Sequence, residues 1–385
     1  MQCKGRAHGD IMKVAFVSFD FGEYCIRLAG ALAQDARVLL LLAGEQQPGG
    51  MAVPTDIDYH LFHKPRLRQV PGQLRMVTEL VRRIRGYNPD VVHLQQGHLW
   101  FNLALPFLKR YPLVITAHDA MPHPGDQGAR NTPSMITHFG FRRADRIIVH
   151  GQAIKQLLVA CRRIRSEIIH VVPHVVLGND KMARETAERD GQILFFGRIW
   201  GYKGLEYLIR AEPLITARVP GAKIVIAGQG ESFDRYRRLI KNPGNFLILN
   251  EYISGERQSE LFRQSSVVVL PYVEASQSGV IPVAYTFAKP VVATTVGALP
   301  EMVEDGRTGY LVPPRDPEAL ADAVVRLLTD NQLRRRMGEN GKRKVDSECS
   351  PEVVARQTLA VYRAAIAGHA HARGDGNWVL ERWTR

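Results

Sequence analysis

Arg198 and Lys203 stand five positions apart in "GRIWGYKGLEYLI", between the apolar run "QILFF" and a helical repeat of Leu205, Leu208 and Ile209. A guanidinium is a flat fork that takes two oxygens of one anion, and an ammonium is a compact point charge. The pair therefore suits a reaction in which negative charge develops on a departing group, because fixed cations in a dry cleft stabilise that charge as it forms. A second stretch, "EASQSGVIPVAYTFAKP", offers the Glu274 carboxylate and then Ser278, Gly279 and Val280 at the start of a short helix over residues 279–287. Free backbone N–H groups there suit a phosphate or a sugar hydroxyl, and glycine permits close approach. In "LVITAHDAMPH" His118 closes a strand, with Asp119 beside it to orient the ring, and its imidazole can give or accept a proton near neutral pH. "DVVHLQQGHLW" places His93, Gln95, Gln96 and His98 at a further strand end.

These groups need a frame that brings strand ends together. Strand-like runs ("KVAFVSF", "VLLLLAG", "PDVVHL", "LVITAH", "DRIIVHG") alternate with helical ones up to "IIHVVPH", and the pattern restarts at "QILFFGR". Continuous apolar runs mark parallel strands covered on both faces, so the spacing predicts an α/β protein of two doubly wound domains. The polar stretch "LGNDKMARETAERDGQ" is the linker, with the boundary near residue 178. The first domain spans 12–178 and the second 179–350, residues 351–366 form a last helix, and 367–385 are a tail without enough periodic apolar positions to dock. Met12-Lys13 reads as the natural start of the fold, with residues 1–11 an upstream extension.

Composition narrows the function. The 385 residues are 45% hydrophobic, enough for two ordinary cores, and no apolar run is long enough to span a bilayer or serve as a signal peptide. Cys3, Cys25, Cys161 and Cys349 are scattered without a Cys-x-x-Cys pair, which fits a reducing cytoplasm rather than a disulfide framework. A formal charge of +13 favours anionic ligands or surfaces. No aromatic-basic interleaving points to nucleic acid. Asp56-Ile57-Asp58 lacks the context of a nucleotide-bound metal site, and the thirteen histidines show no ligand spacing, so no metal is expected. Gly228-Gln229-Gly230 opens like a dinucleotide fingerprint but has Phe233 at the third glycine position, so no such cofactor is expected. Between Lys64 and Arg85 seven cations (Lys64, Arg66, Arg68, Arg75, Arg82, Arg83, Arg85) accompany one acid, Glu79, while Leu74, Val77, Leu80, Val81 and Ile84 recur at helical spacing. Such a helix packs its apolar side inward with its cations in solvent, or lies on an anionic membrane surface.

"FFGRIWGYKGLEYLI", "IAGQGE", "LFRQSSVVVLPY", "AKPVVATTVGALPEMVEDGRTGYLVPPRDPEALADAV" and "SPEVVARQTLAVYRAA", in that order, resemble the nucleotide-sugar glycosyltransferases of the GT-B fold, in particular their large retaining family 4. The resemblance covers nearly all of residues 12–366. It implies two Rossmann-like domains facing across a cleft, the second holding a nucleoside diphosphate sugar and the first an acceptor, with residues 351–366 crossing back to the first. Arg198 and Lys203 match the cations on the donor diphosphate, and His118 matches a catalytic histidine facing the donor sugar. Gly22, in "FDFGEYCIRLAG", matches the glycine-rich loop over the reacting centre. Glu274, Ser278, Gly279 and Val280 are implied donor ligands, and His93, Gln95 and His98 fall on the acceptor side. The family carries two glutamates eight positions apart that would fall on Ala275 and Val283, and neither is acidic here; Glu274 stands in for the first, and the ribose contact of the second has no counterpart. The implied function is metal-independent transfer of a hexose, with retention, to a glycan or lipid-linked saccharide in cell-surface polysaccharide synthesis, by a cytoplasmic or peripheral membrane enzyme. The rivals are a sugar-nucleotide epimerase and a non-catalytic module of the same fold.

Overall fold

The structure, a computed structural model, describes residues 11–47, 51–118, 134–177 and 187–372. Among them the chain forms two sheets in which every pairing of neighbouring strands is parallel. The first holds β1 (Met12–Ser18), β2 (Ala36–Ala43), β3 (Asp58–Phe62), β4 (Val91–Gln95), β5 (Leu113–Ala117), β6 (Arg146–Val149) and β7 (Ile169–Val171), in the spatial order β3-β2-β1-β4-β5-β6-β7. The second holds β8 (Gln192–Phe196), β9 (Lys223–Ala227), β10 (Phe246–Leu249), β11 (Val267–Leu270), β12 (Val291–Thr294) and β13 (Gly309–Val312), in the order β10-β9-β8-β11-β12-β13. Strand order reverses between β1 and β4 and again between β8 and β11. Crevices open at such reversals, outside the carboxyl ends of the strands, because the flanking connections leave in opposite directions.

Each sheet is buried on both faces, as the unbroken apolar runs require. Val14 and Phe16 of β1 belong to the core shared with the helix Gly22–Leu32, whereas Ala15 and Val17 face Met76, Leu80 and Ile84 of the helix Val70–Tyr87. In the second domain Ile193 and Phe195 face one layer and Leu194 the other. Of the stripe expected on the helix Val70–Tyr87, Leu80 and Ile84 are buried and Val77 and Val81 are partly buried. Leu74 is instead 53% exposed, because Met76 occupies the inward face.

The helix Pro351–Ala372 lies on the first domain, where Val354, Leu359, Tyr362 and Ala365 join the core around Phe16, Tyr24 and Leu28. It runs past residue 366, correcting the expected start of the tail: Ala370 is buried, and His369 Nδ1 lies 3.1 Å from a carboxylate oxygen of Asp145. Residues 373–385 and the boundary near 178 lie outside the described residues. Asp58 opens the edge strand β3, at the amino ends of the strands and so opposite the crevices. The domains also meet at Glu301, whose carboxylate accepts the backbone N–H groups of Gln152 (2.6 Å) and Ala153 (2.8 Å) at the start of the helix Gln152–Arg162. Among the described residues no helix is long and apolar enough to cross a membrane.

Candidate active site

Arg198 and Tyr272 both lie two positions beyond the strands that flank the second reversal, β8 and β11. After Phe196 the chain passes through Gly197 (φ 118°), and Ile199 donates its backbone N–H to Gln229, which seats the turn against the loop beyond β9. Tyr202 carries the next connection: its carbonyl accepts the N–H groups of Val273 (2.9 Å) and Glu274 (3.3 Å), tying the Arg198–Lys203 turn to the Glu274 loop. Gly204 (φ 64°) then starts the helix Leu205–Thr216. A Cβ there would stand 1.9 Å from the carbonyl oxygen of Pro271, so the close approach of the two loops requires glycine.

The side chains form one continuous group. Arg198 Nη2 donates to Tyr202 Oη at 3.2 Å, and Lys203 Nζ stands 3.7 Å from the Tyr272 ring centroid and 5.2 Å from that of Tyr202. Tyr272 Oη is 3.4 Å from Ser278 Oγ, which accepts the Val280 N–H at 3.3 Å, while Thr294 Oγ1 donates to the Tyr272 carbonyl at 2.6 Å. Burial pushes the Tyr272 phenol up to about 12, so it stays neutral beside the two cations. Arg198, Lys203, Ser278 and Val280 are thus brought together. Tyr202 and Tyr272 are the members that sequence reasoning missed, and for Tyr272 an aromatic two residues past a buried strand was the available signal. Glu274 is exposed on the linked loop, and Gly279 precedes the helix Val280–Thr286. Ala275 and Val283 are core residues, 8% and 3% exposed.

At the first reversal His118 follows β5, 1% exposed, with its ring stacked on Phe21 (centroids 3.8 Å apart) and Tyr24 edge-on. Burial, with the neighbouring His150 and His174 adding to it, holds His118 well below the ordinary histidine range and therefore neutral at pH 7. The Gln95 amide hydrogen-bonds His118 Nε2 and so positions the ring; Asp119, the expected orienter, lies outside the described residues. Gly22 is glycine because a Cβ would stand 1.7 Å from the Gln46 carbonyl oxygen.

The three residues expected on the acceptor side are all buried. His93 is fully buried, stacked on Phe16, with Nδ1 at 2.7 Å from Tyr362 Oη and Nε2 at 2.7 Å from Thr116 Oγ1. It fastens the crossing helix to the sheet. Gln95 is buried and engaged with His118, and His98 is stacked on Phe19 at 4.1 Å with 4% exposure. Gln96, in the left-handed region at φ 56°, is partly exposed.

A family model described as "Glycosyl transferases group 1" matches residues 190–330, and one described as "Glycosyltransferase Family 4" matches residues 22–176. Over 176 residues the chain is 35% identical to an uncharacterized glycosyltransferase of Methanocaldococcus jannaschii, covering 45% of each chain, so the match spans less than half of that relative's length. It is 30% identical to the D-inositol 3-phosphate glycosyltransferase of Corynebacterium glutamicum, across 72% of this chain and 73% of that one. The solved structure of Anabaena HepE in complex with UDP-glucose superposes with a TM-score of 0.66 at 19% identity, covering 91% of this chain and 99% of that one.

Proposed function

As the chain belongs to the family 4 (group 1) glycosyltransferases, we propose that it transfers a hexose, without a metal ion and with retention, from a nucleoside diphosphate sugar to a hydroxyl of a glycan or lipid-linked saccharide in cell-surface polysaccharide synthesis. The observation that carries this reading is the Arg198–Tyr202–Lys203–Tyr272–Ser278 group at the crevice between β8 and β11. Arg198 and Lys203 take the diphosphate oxygens, and their charge gains most when the sugar–phosphate bond has broken and the leaving diphosphate is fully anionic. The Gly279 N–H and the Ser278 hydroxyl complete the anion's surroundings, with Val280 holding Ser278 Oγ in place through its N–H, and Glu274 accepts from sugar hydroxyls. His118, neutral and positioned by Gln95, gives a hydrogen bond to the sugar from the opposite domain, and Gly22 lets its loop approach. The leaving diphosphate takes the acceptor's proton as the acceptor oxygen bonds the anomeric carbon on the same face. The UDP-glucose held by the Anabaena neighbour supports a donor of this class.

The reading includes a peripheral membrane position on the cytoplasmic side. Val70, Leu74, Leu103, Phe107, Met135 and Phe139 are exposed on the helices Val70–Tyr87, Leu99–Ala104, Leu105–Leu108 and Ser134–Arg143, alongside the exposed Arg75, Arg82, Arg83 and Arg85. Apolar side chains ringed by cations suit an anionic lipid surface that carries the acceptor.

The test is thermal stabilisation by UDP, GDP, ADP and TDP and their sugars, with and without magnesium, on the wild type and Arg198→Ala. Saturation to a hundred times the dissociation constant contributes about 2.7 kcal/mol. A nucleotide that stabilises the wild type without magnesium but not Arg198→Ala supports the reading, and stabilisation untouched by that substitution overturns it.

A further inference from the structure

His118, His150 and His174 follow three neighbouring strands, β5, β6 and β7, and the sheet brings their rings to one spot. Ring centroids are 4.8 Å apart for His118 and His150, 4.9 Å for His150 and His174, and 5.6 Å for His118 and His174, with Tyr24 packed against all three. One ring nitrogen of each lies within 4.8 Å of one from each of the others. We propose that these three histidines form a binding site for a borderline transition cation of the zinc type.

The hydrogen bonds set the rings up as ligands. His150 Nδ1 donates to the Val172 carbonyl at 2.9 Å and His174 Nδ1 to the Val175 carbonyl at 2.7 Å, which places the lone pair of each ring on Nε2. A carbonyl on the far nitrogen is the usual outer partner of a metal-bound imidazole, since it fixes the tautomer and raises ligand basicity. His118 Nε2 meets the Gln95 amide, and His118 Nδ1 is a buried nitrogen without a hydrogen-bond partner among the described residues. Turning the Gln95 amide by half a turn sets its carbonyl against Nε2–H and gives His118 a lone pair at Nδ1. In the same move Gln95 Oε1, buried and without a partner as it stands, takes over the contact that the amide NH2 gives up.

The chemistry matches the donor set. Neutral imidazole is the ligating form, and the carbonyls on His150 Nδ1 and His174 Nδ1 hold those two rings in the tautomer that ligates through Nε2. Three imidazoles with an open fourth position suit zinc, cobalt, nickel or copper rather than calcium or magnesium, which prefer oxygen. Tetrahedral zinc at Zn–N of about 2.0–2.1 Å needs nitrogens about 3.4 Å apart, so the rings draw together on binding. The site shares His118 with the proposed donor pocket, so occupancy and transfer compete; that consequence rests on the transferase reading, whereas cation binding does not.

The test is a titration of untagged, chelator-stripped full-length chain with Co²⁺, followed by visible absorption. The expected result is the strong bands of four-coordinate cobalt, saturating at one equivalent and displaced by one equivalent of Zn²⁺. His150→Phe and His174→Phe are expected to lose the bands, and His369→Ala with His371→Ala to keep them. No bands in the wild type, or bands that survive in both His150→Phe and His174→Phe, overturn the proposal. Should either core variant fail to fold, X-ray absorption of the zinc-loaded wild type counts the ligands. Three imidazole nitrogens near 2.0 Å uphold the site, and fewer overturn it.

Discussion

Lys203 holds its ammonium 3.7 Å from the centroid of the Tyr272 ring, on the far side of the crevice between β8 and β11. The ring fixes a flexible cation where the diphosphate is expected. Tyr272→Leu removes that support, and a cation–π contact of about 0.5–2 kcal/mol predicts donor binding about 2- to 30-fold weaker by calorimetry. Tyr272→Phe keeps the ring and drops only the contact with Ser278, so it is expected to lose less.

Val283 lies at the position of a family glutamate yet is 3% exposed, in the core with Ile281, Ala284 and Tyr285. Val283→Glu is therefore expected to bury an unpaired carboxylate rather than restore a ribose ligand, at a cost of about 3–5 kcal/mol. Urea unfolding measures the cost, and unchanged stability with tighter nucleotide binding would contradict the placement.

Acid sensitivity follows from His93. Burial lowers its pKa to about 3, whereas the unfolded chain titrates near the ordinary 6.5. Between those values the unfolded state binds the extra proton, so stability is fully present above about pH 6.5 and falls by about 1.4 kcal/mol per unit as the pH drops toward 3. His93→Phe keeps the stack on Phe16 but leaves Tyr362 and Thr116 without their partner. It is expected to be less stable at pH 7 yet to lose less on moving to pH 5, as urea midpoints at the two pH values will report.

The exposed apolar and basic face gives a binding prediction. Arg75 and Arg82 are solvent-facing on the helix Val70–Tyr87, and each cation near an anionic surface contributes about 1 kcal/mol. Replacing both by Gln is expected to weaken sedimentation with phosphatidylglycerol vesicles about 30-fold at low salt. Phe107→Ser and Met135→Ser are expected to weaken binding to the same vesicles at any salt concentration.

What could be read in the chain and what could not divide along physical lines. "KVAFVSF", "VLLLLAG" and "QILFF" announce parallel strands because a strand covered on both faces must be apolar throughout, and Arg198 and Lys203 stand out because cations after such a run have no packing role. His93 has the same outward signature, a polar residue near a strand end, but its role depends on Tyr362, 269 positions along the chain. His118, His150 and His174 show no ligand spacing in sequence because the sheet, and not a local turn, sets them side by side. Leu74 shows the limit on helices: five apolar positions fit the stripe, and only packing against the sheet decides that Met76 takes the inward place.

The helix Pro351–Ala372 makes the domain that begins the chain the last to be completed. Its Val354, Leu359 and Tyr362 are interior to a layer that also contains Tyr24 and Leu28, so a nascent chain leaving the ribosome carries an open apolar groove on its first half until the final helix emerges. Severing the chain between the sheets would not release two independent halves, because the second fragment would take with it a strip of the first one's interior.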